Sequence, residues 1–119
     1  MSSGWDRLIG LMAGSMFGLL VIHAAASADS TTCPLLGGKE PRSLDLFDGR
    51  PEELAYLIPD HVTGTEATWD VGYVYDAGRT VTIRCKYDGR RVVDVAVPHR
   101  VGRCGYHVLR GGGLDMVCR

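Results

Sequence analysis

Four cysteines, Cys33, Cys85, Cys104 and Cys118, all follow an export-type leader, and that arrangement limits the fold more than any other feature of the chain. Met1 to Arg7 is a short polar start, Leu8 to Ile22 is almost wholly apolar, and Ala26-Ser27-Ala28 supplies a small-residue cleavage site. This order predicts a secretory signal peptide over 1–28 and a mature chain from Asp29. The apolar run approaches the roughly 17–25 residues that span a bilayer. His23, the small residues after it and the lack of Lys or Arg just beyond favour cleavage over anchoring. The expected location is periplasmic or secreted, with no stable membrane insertion of the mature chain.

In an oxidising compartment four cysteines read as two disulfides. Their spacings of 52, 19 and 14 residues contain no C-x-x-C pair. A zinc site needs ligands clustered in short turns, and redox catalysis needs paired thiols close in sequence, so both are set aside. No cofactor is indicated. Residues 29–119 suffice for one small domain with one modest core. Residues 29–42, broken by Pro34, Gly37, Gly38 and Pro41, read as an irregular segment, and 43–119 as a single disulfide-stapled domain.

The net charge of −1 hides an asymmetry. Asp29 to Ala77 holds ten acidic and three basic residues, whereas Gly78 to Arg119 holds nine basic and three acidic. Within one domain the two halves are expected to neutralise each other; the alternative is a basic face for an acidic partner or anionic envelope polymer. Without Lys-rich runs or interleaved aromatics, nucleic acid is not an expected partner.

Ser43 to Phe47 alternates as a first strand, and Asp48-Gly49 turns the chain. Pro51, Glu52 and Glu53 then suit a first helical turn, while Leu54, Leu57 and Ile58 fall at i, i+3 and i+4 before Pro59. The pattern predicts a two-turn helix packed on a sheet, followed by a polar loop from Asp60 to Glu66. Ala67 to Asp76 reads as a strand with Trp69, Val71, Tyr73 and Tyr75 on one face.

Val81, Ile83, Cys85 and Tyr87 share one strand face, and Val93, Val95 and Val97 share the next. Burying both sets together pairs Cys85 with Val93, Ile83 with Val95 and Val81 with Val97, and places Arg84 across from Asp94. That register requires an odd loop around Asp88-Gly89-Arg90. Gly111-Gly112-Gly113 closes a second hairpin between Tyr106 to Leu109 and Leu114 to Val117. With a three- or five-residue loop Cys104 faces Cys118, so the expected bonds are Cys104–Cys118 and Cys33–Cys85. The fold class is α+β: a small antiparallel sheet of four to five strands, mostly consecutive hairpins, with one short helix.

No catalytic motif stands out. His61 with Asp60, or His99, would serve an enzyme of unrecognised type if a pocket gathered them with a carboxylate. The triple glycine precedes no helix or Gly-Lys-Ser/Thr and is not a phosphate loop.

Leu46-Phe47-Asp48-Gly49-Arg50-Pro51-Glu52-Glu53, Pro59-Asp60, Trp69, Arg84-Cys85-Lys86-Tyr87, Val97-Pro98 and the closing Cys104 and Cys118 together resemble a group of short exported proteobacterial proteins. The resemblance covers about Cys33 to Arg119. It implies a shared fold and a periplasmic home, and carries no assigned active site. The expected function is a non-enzymatic protein-binding or inhibitor-type module gripping another envelope or extracellular protein through Trp69, Tyr73, Arg84 and Lys86. A passive structural or stress-associated envelope protein is the alternative.

Overall fold

The computed structural model describes residues 30–119; the predicted signal peptide lies outside the described residues. Eight strands form two antiparallel four-stranded sheets rather than the single sheet expected. Sheet I has the order β2-β1-β5-β6, from β1 (Ser43–Asp48), β2 (Tyr56–Leu57), β5 (Val81–Lys86) and β6 (Val92–Val97). Sheet II has the order β3-β4-β7-β8, from β3 (His61–Val62), β4 (Glu66–Asp70), β7 (Arg103–Val108) and β8 (Leu114–Cys118). One short helix, α1 (Gly72–Asp76), follows β4.

The period-2 pattern of β5 and β6 is obeyed residue by residue. Val81 pairs with Val97, Ile83 with Val95, Cys85 with Val93 and Arg84 with Asp94. The odd loop holds Gly89 at φ 73° and Arg90 at φ 66°, and the Tyr87 N–H donates to the Arg91 carbonyl at its base. β1 pairs along the other side of β5, with Leu44 opposite Cys85 and Leu46 opposite Ile83. The inward side chains of both sheets, with Val71, Val74 and Val101, make one buried cluster.

Three local expectations fail, each because tertiary pairing outweighs a short local pattern. The helix expected over 51–58 is a single 3₁₀ turn, Pro51–Glu53, which ends at Leu54 in the left-handed region with φ 59°. The chain then straightens so that Tyr56 and Leu57 pair with Phe47 and Leu46. Leu54 and Ile58, expected to be buried, are 69% and 81% exposed. A two-turn helix has little stability of its own, and the β1 ladder satisfies the same backbone groups. The expected strand over 67–76 stops at Asp70. Val71, Val74 and Tyr75 also stand at i, i+3 and i+4; Val71 just before α1 and Val74 within it are buried, and Tyr75 is half-buried. The Tyr75 hydroxyl donates to the Val97 carbonyl at 2.8 Å and accepts from the Val81 N–H. Polar as it looks, the segment after Asp60 supplies β3, whose His61 and Val62 pair with Thr68 and Ala67.

Both disulfides form as expected, Cys33–Cys85 and Cys104–Cys118. The first ties the N-terminal segment to β5; the second joins directly opposed residues of β7 and β8. In the chain-entropy treatment the second closes a loop worth about 3 kcal/mol. The exposed Arg84–Asp94 pair is worth at most about 1 kcal/mol. Cys118→Ser is therefore expected to lower the melting temperature more than Arg84→Ala does. Equal shifts in thermal melts would contradict this ordering.

Candidate functional site: the open edge of sheet I

The four side chains expected to grip a partner do not gather. Trp69 is 4% exposed, and its indole N–H donates across to the Leu57 carbonyl of sheet I at 3.0 Å. It belongs to the core, with the Tyr106 ring 5.9 Å away. Tyr73 is exposed on α1. Arg84 and Lys86 stand on the outer face of sheet I, and both are already paired. Arg84 binds Asp94 in bidentate fashion at 2.8 and 3.0 Å, and Lys86 reaches Asp45 at 2.8 Å. Arg84 also lies over the Phe47 ring, 5.4 Å from its centroid, and with Tyr56 covers that otherwise outward-facing phenyl group.

The charge asymmetry of the two halves is largely spent inside the fold. Lys86 takes Asp45, Arg79 takes Asp48 and Glu53, Arg103 takes Asp70, and Arg100 takes Asp76. Hydrogen bonding from Arg84 holds the Asp94 carboxyl below the usual carboxylate range, against the opposing effect of partial burial. A lowered folded-state value means that this pair's contribution is present above the ordinary Asp range and is lost as pH falls through the lowered one.

Among the described residues neither His61 nor His99 is held against a carboxylate. The Asp60 carboxylate accepts the Asp70 N–H at 2.6 Å and is thereby committed to the backbone beside β3 rather than to His61. His99 is exposed in the turn after β6. The outer face of sheet II does contain a trough of about 510 Å³. Its floor is Thr68, Gly105 and Val117, which are aligned across β4, β7 and β8. A Cβ on Gly105 would stand 3.2 Å from both the Ala67 carbonyl and the Thr68 methyl, so glycine keeps the floor low. Glu66, His107 and Asp115 form the row at one end, with His107 Nε2 3.6 Å from Asp115. Arg103 stands at the other. These groups are open to water; the geometry suits polar contacts more than desolvated chemistry.

A different feature emerges from the sheet borders. An unpaired edge strand presents N–H and C=O groups to any passing strand, and proteins ordinarily shorten or cover such edges. Two of the four borders here, β2 and β3, are only two residues long. A third, β8, is covered along its length by the N-terminal segment. Leu114 N–H donates to the Pro41 carbonyl, the Thr32 hydroxyl donates to Met116, and Thr31 and Cys118 exchange both of their backbone bonds.

The fourth border, β6, has neither protection. It runs for six residues, Val-Val-Asp-Val-Ala-Val, and its one charge is neutralised by Arg84. Antiparallel ladders alternate between groups turned toward the neighbour and groups turned away. The Tyr87–Arg91 bond sets the phase: Val93, Val95 and Val97 bond to β5, and the backbone of Val92, Asp94 and Ala96 points outward. Among the described residues no loop or side chain covers those outward groups. Val92, Asp94 and Ala96 are exposed, while Val93 and Val95 are half-buried against the core. No sequence signal separates this border from the covered one, because strand order is not written in local periodicity.

Comparison with protein-family models, with curated proteins and with solved structures found no match. The class is set by the fold: a disulfide-stapled domain of two antiparallel sheets with, among the described residues, one short α-helix. Two disulfides fit an oxidising compartment, and among the described residues no helix is long and apolar enough to cross a membrane.

Proposed function

We propose that this is an exported, non-enzymatic protein-binding module that takes an extended segment of its partner as a fifth strand on sheet I, alongside β6. One observation carries the reading: three sheet borders are short or covered, and the longest is left bare among the described residues. Strand addition draws affinity from main-chain hydrogen bonds and specificity from alternate side chains. It needs a rigid template, and the Cys33–Cys85 bond anchored in β5, next to β6, supplies one. An inhibitor of an envelope or extracellular enzyme is one form such a module takes.

Ala96→Pro tests the proposal with little damage to the fold. The Ala96 N–H points away from β5, so proline removes no ladder bond, and a strand context suits the residue before it. The variant is expected to melt within a few degrees of the parent protein, since surface substitutions of this kind usually change stability by roughly ±0.5 kcal/mol. In affinity capture from an extract of the producing cells, the parent is expected to retain a stoichiometric partner that Ala96→Pro loses. A partner held equally by both would overturn the edge as the binding site. No partner at all under mild crosslinking would return the passive structural reading.

A further inference from the structure

The open edge has a charged end, and that end says what kind of strand it accepts. Arg90 and Arg91 stand in the hairpin loop at the start of β6, and both are exposed. Most other cations of the C-terminal half have carboxylate partners, and Asp88, the acidic residue nearest in sequence, goes to Arg42 at 3.7 Å. Among the described residues Arg90 and Arg91 have no salt-bridge partner. At the far end of β6 the charge is already spent, because Arg100 is bound to Asp76 by two hydrogen bonds. The edge is thus cationic at its beginning and close to neutral at its end.

Resting on the strand-addition reading, we infer that the partner segment is an extended peptide with apolar residues at alternate positions and side-chain carboxylates at the end that meets Arg90 and Arg91. Its direction follows from the sheets. Every strand pair in both is antiparallel, and antiparallel pairing is the more stable per residue. A strand antiparallel to β6 passes Ala96 first and Val92 last, so the carboxylates lie C-terminal to the apolar stretch. Side chains on the inner face of that strand lie beside Val93 and Val95 and extend the edge of the core. Those on the outer face lie beside Val92, Asp94 and Ala96 and are small or polar.

A second copy of this chain is a poorer occupant. Inner faces must match inner faces, so two copies of β6 overlap best with Asp94 opposite Asp94 or with Val95 opposite Val95. The first arrangement opposes two carboxylates. The second sets Arg90 against Arg100 and Arg91 against His99. Neither brings a carboxylate to Arg90 or Arg91, so both leave the cationic end of the edge unmet.

Three end-capped peptides test the inference on the oxidised protein: Thr-Val-Thr-Val-Thr-Glu-Glu, the same core ending in Lys-Lys, and the reversed order Glu-Glu-Thr-Val-Thr-Val-Thr. The reporters are the backbone amide resonances of Val92, Asp94 and Ala96. The first peptide is expected to shift all three saturably, and to bind about tenfold more tightly than the Lys-Lys peptide, the combined effect of two exposed ion pairs. Added salt narrows that ratio. Replacing Arg90 and Arg91 by Glu is expected to reverse the preference, and Ala96→Pro, which itself has no amide at 96, to abolish the shifts of Val92 and Asp94.

Equal binding of the Glu and Lys peptides, with Ala96→Pro still blocking both, overturns the acidic partner and leaves the edge reading intact. Tighter binding of the reversed peptide overturns the antiparallel direction. Shifts that persist in Ala96→Pro overturn the edge reading itself. No shift at about 1 mM peptide, the weak limit of useful affinity, overturns the inference, as does a concentration-dependent dimer that protects the β6 amides.

Discussion

Replacing Cys33 and Cys85 together by alanine is expected to lower the unfolding free energy by about 4 kcal/mol, the chain-entropy cost of reopening a loop of that length. For a domain of this size that corresponds to a fall in melting temperature on the order of 20 °C. The bond spans 52 residues, against 14 for Cys104–Cys118, so its loss is the larger of the two. Its effect has a definite place in the fold. Cys33 follows Thr31 and Thr32, which bond to Cys118 and Met116 of β8, and Pro41 accepts from Leu114 at the other end of the same strand. Releasing Cys33 frees the segment that covers the β8 border. Amide exchange at Leu114 and Cys118, whose N–H groups donate to that segment, is expected to accelerate more than exchange at Val93 and Val95 in the β5–β6 ladder. A smaller loss of stability than that caused by removing Cys104–Cys118 would contradict the assignment of these roles.

Trp69→Ala is expected to cost about 3–5 kcal/mol, the range for emptying a buried aromatic site. The indole fills the space between the sheets and supplies the hydrogen bond that connects β4 to the Leu57 carbonyl of β2. Trp69→Phe separates these contributions. It keeps much of the volume but loses the bond to that carbonyl, which retains its ladder partner Leu46, an expected cost of about 0.5–1.5 kcal/mol. Denaturant midpoints at a constant slope measure both. A cost below about 1 kcal/mol for Trp69→Ala would show that the residue is not the bridge between the sheets. At temperatures where the Phe variant remains folded, its affinity for the acidic peptide is expected to match that of the parent. This separates Trp69 from the binding surface to which the aromatic pattern first assigned it.

The aromatic pattern failed for a physical reason. Alternation shows that Trp69 shares a face with Ala67, but not whether that face meets water or a second sheet. The Leu54, Leu57 and Ile58 spacing likewise describes a helix only while the segment is considered alone. Once β1 is available, the ladder with Leu46 and Phe47 wins. Arg84 was legible to the level of its partner, because the apolar alternation of β5 and β6 fixes which side chains oppose each other. That the pair is occupied, and so offers no free cation, follows directly from the same register.

Cys33–Cys85 was expected only as the pair left over, whereas sequence by itself determined the β5–β6 register and, with a three- or five-residue loop, the facing of Cys104 and Cys118. Each follows from a period-2 pattern across one short loop, and a slip of one residue would turn every valine to water. Tertiary structure alone decided that the strands divide into two sheets, that residues 31–41 run along β8, and that β6 is left bare. Those choices rest on pairings between segments far apart in the chain, such as Thr32 with Met116, 84 residues on. They are selected by what the whole molecule can bury and satisfy at once. The same long-range pairing consumed Asp45, Asp48, Glu53, Asp70 and Asp76 and, among the described residues, left Arg90 and Arg91 without a salt-bridge partner beside the open edge.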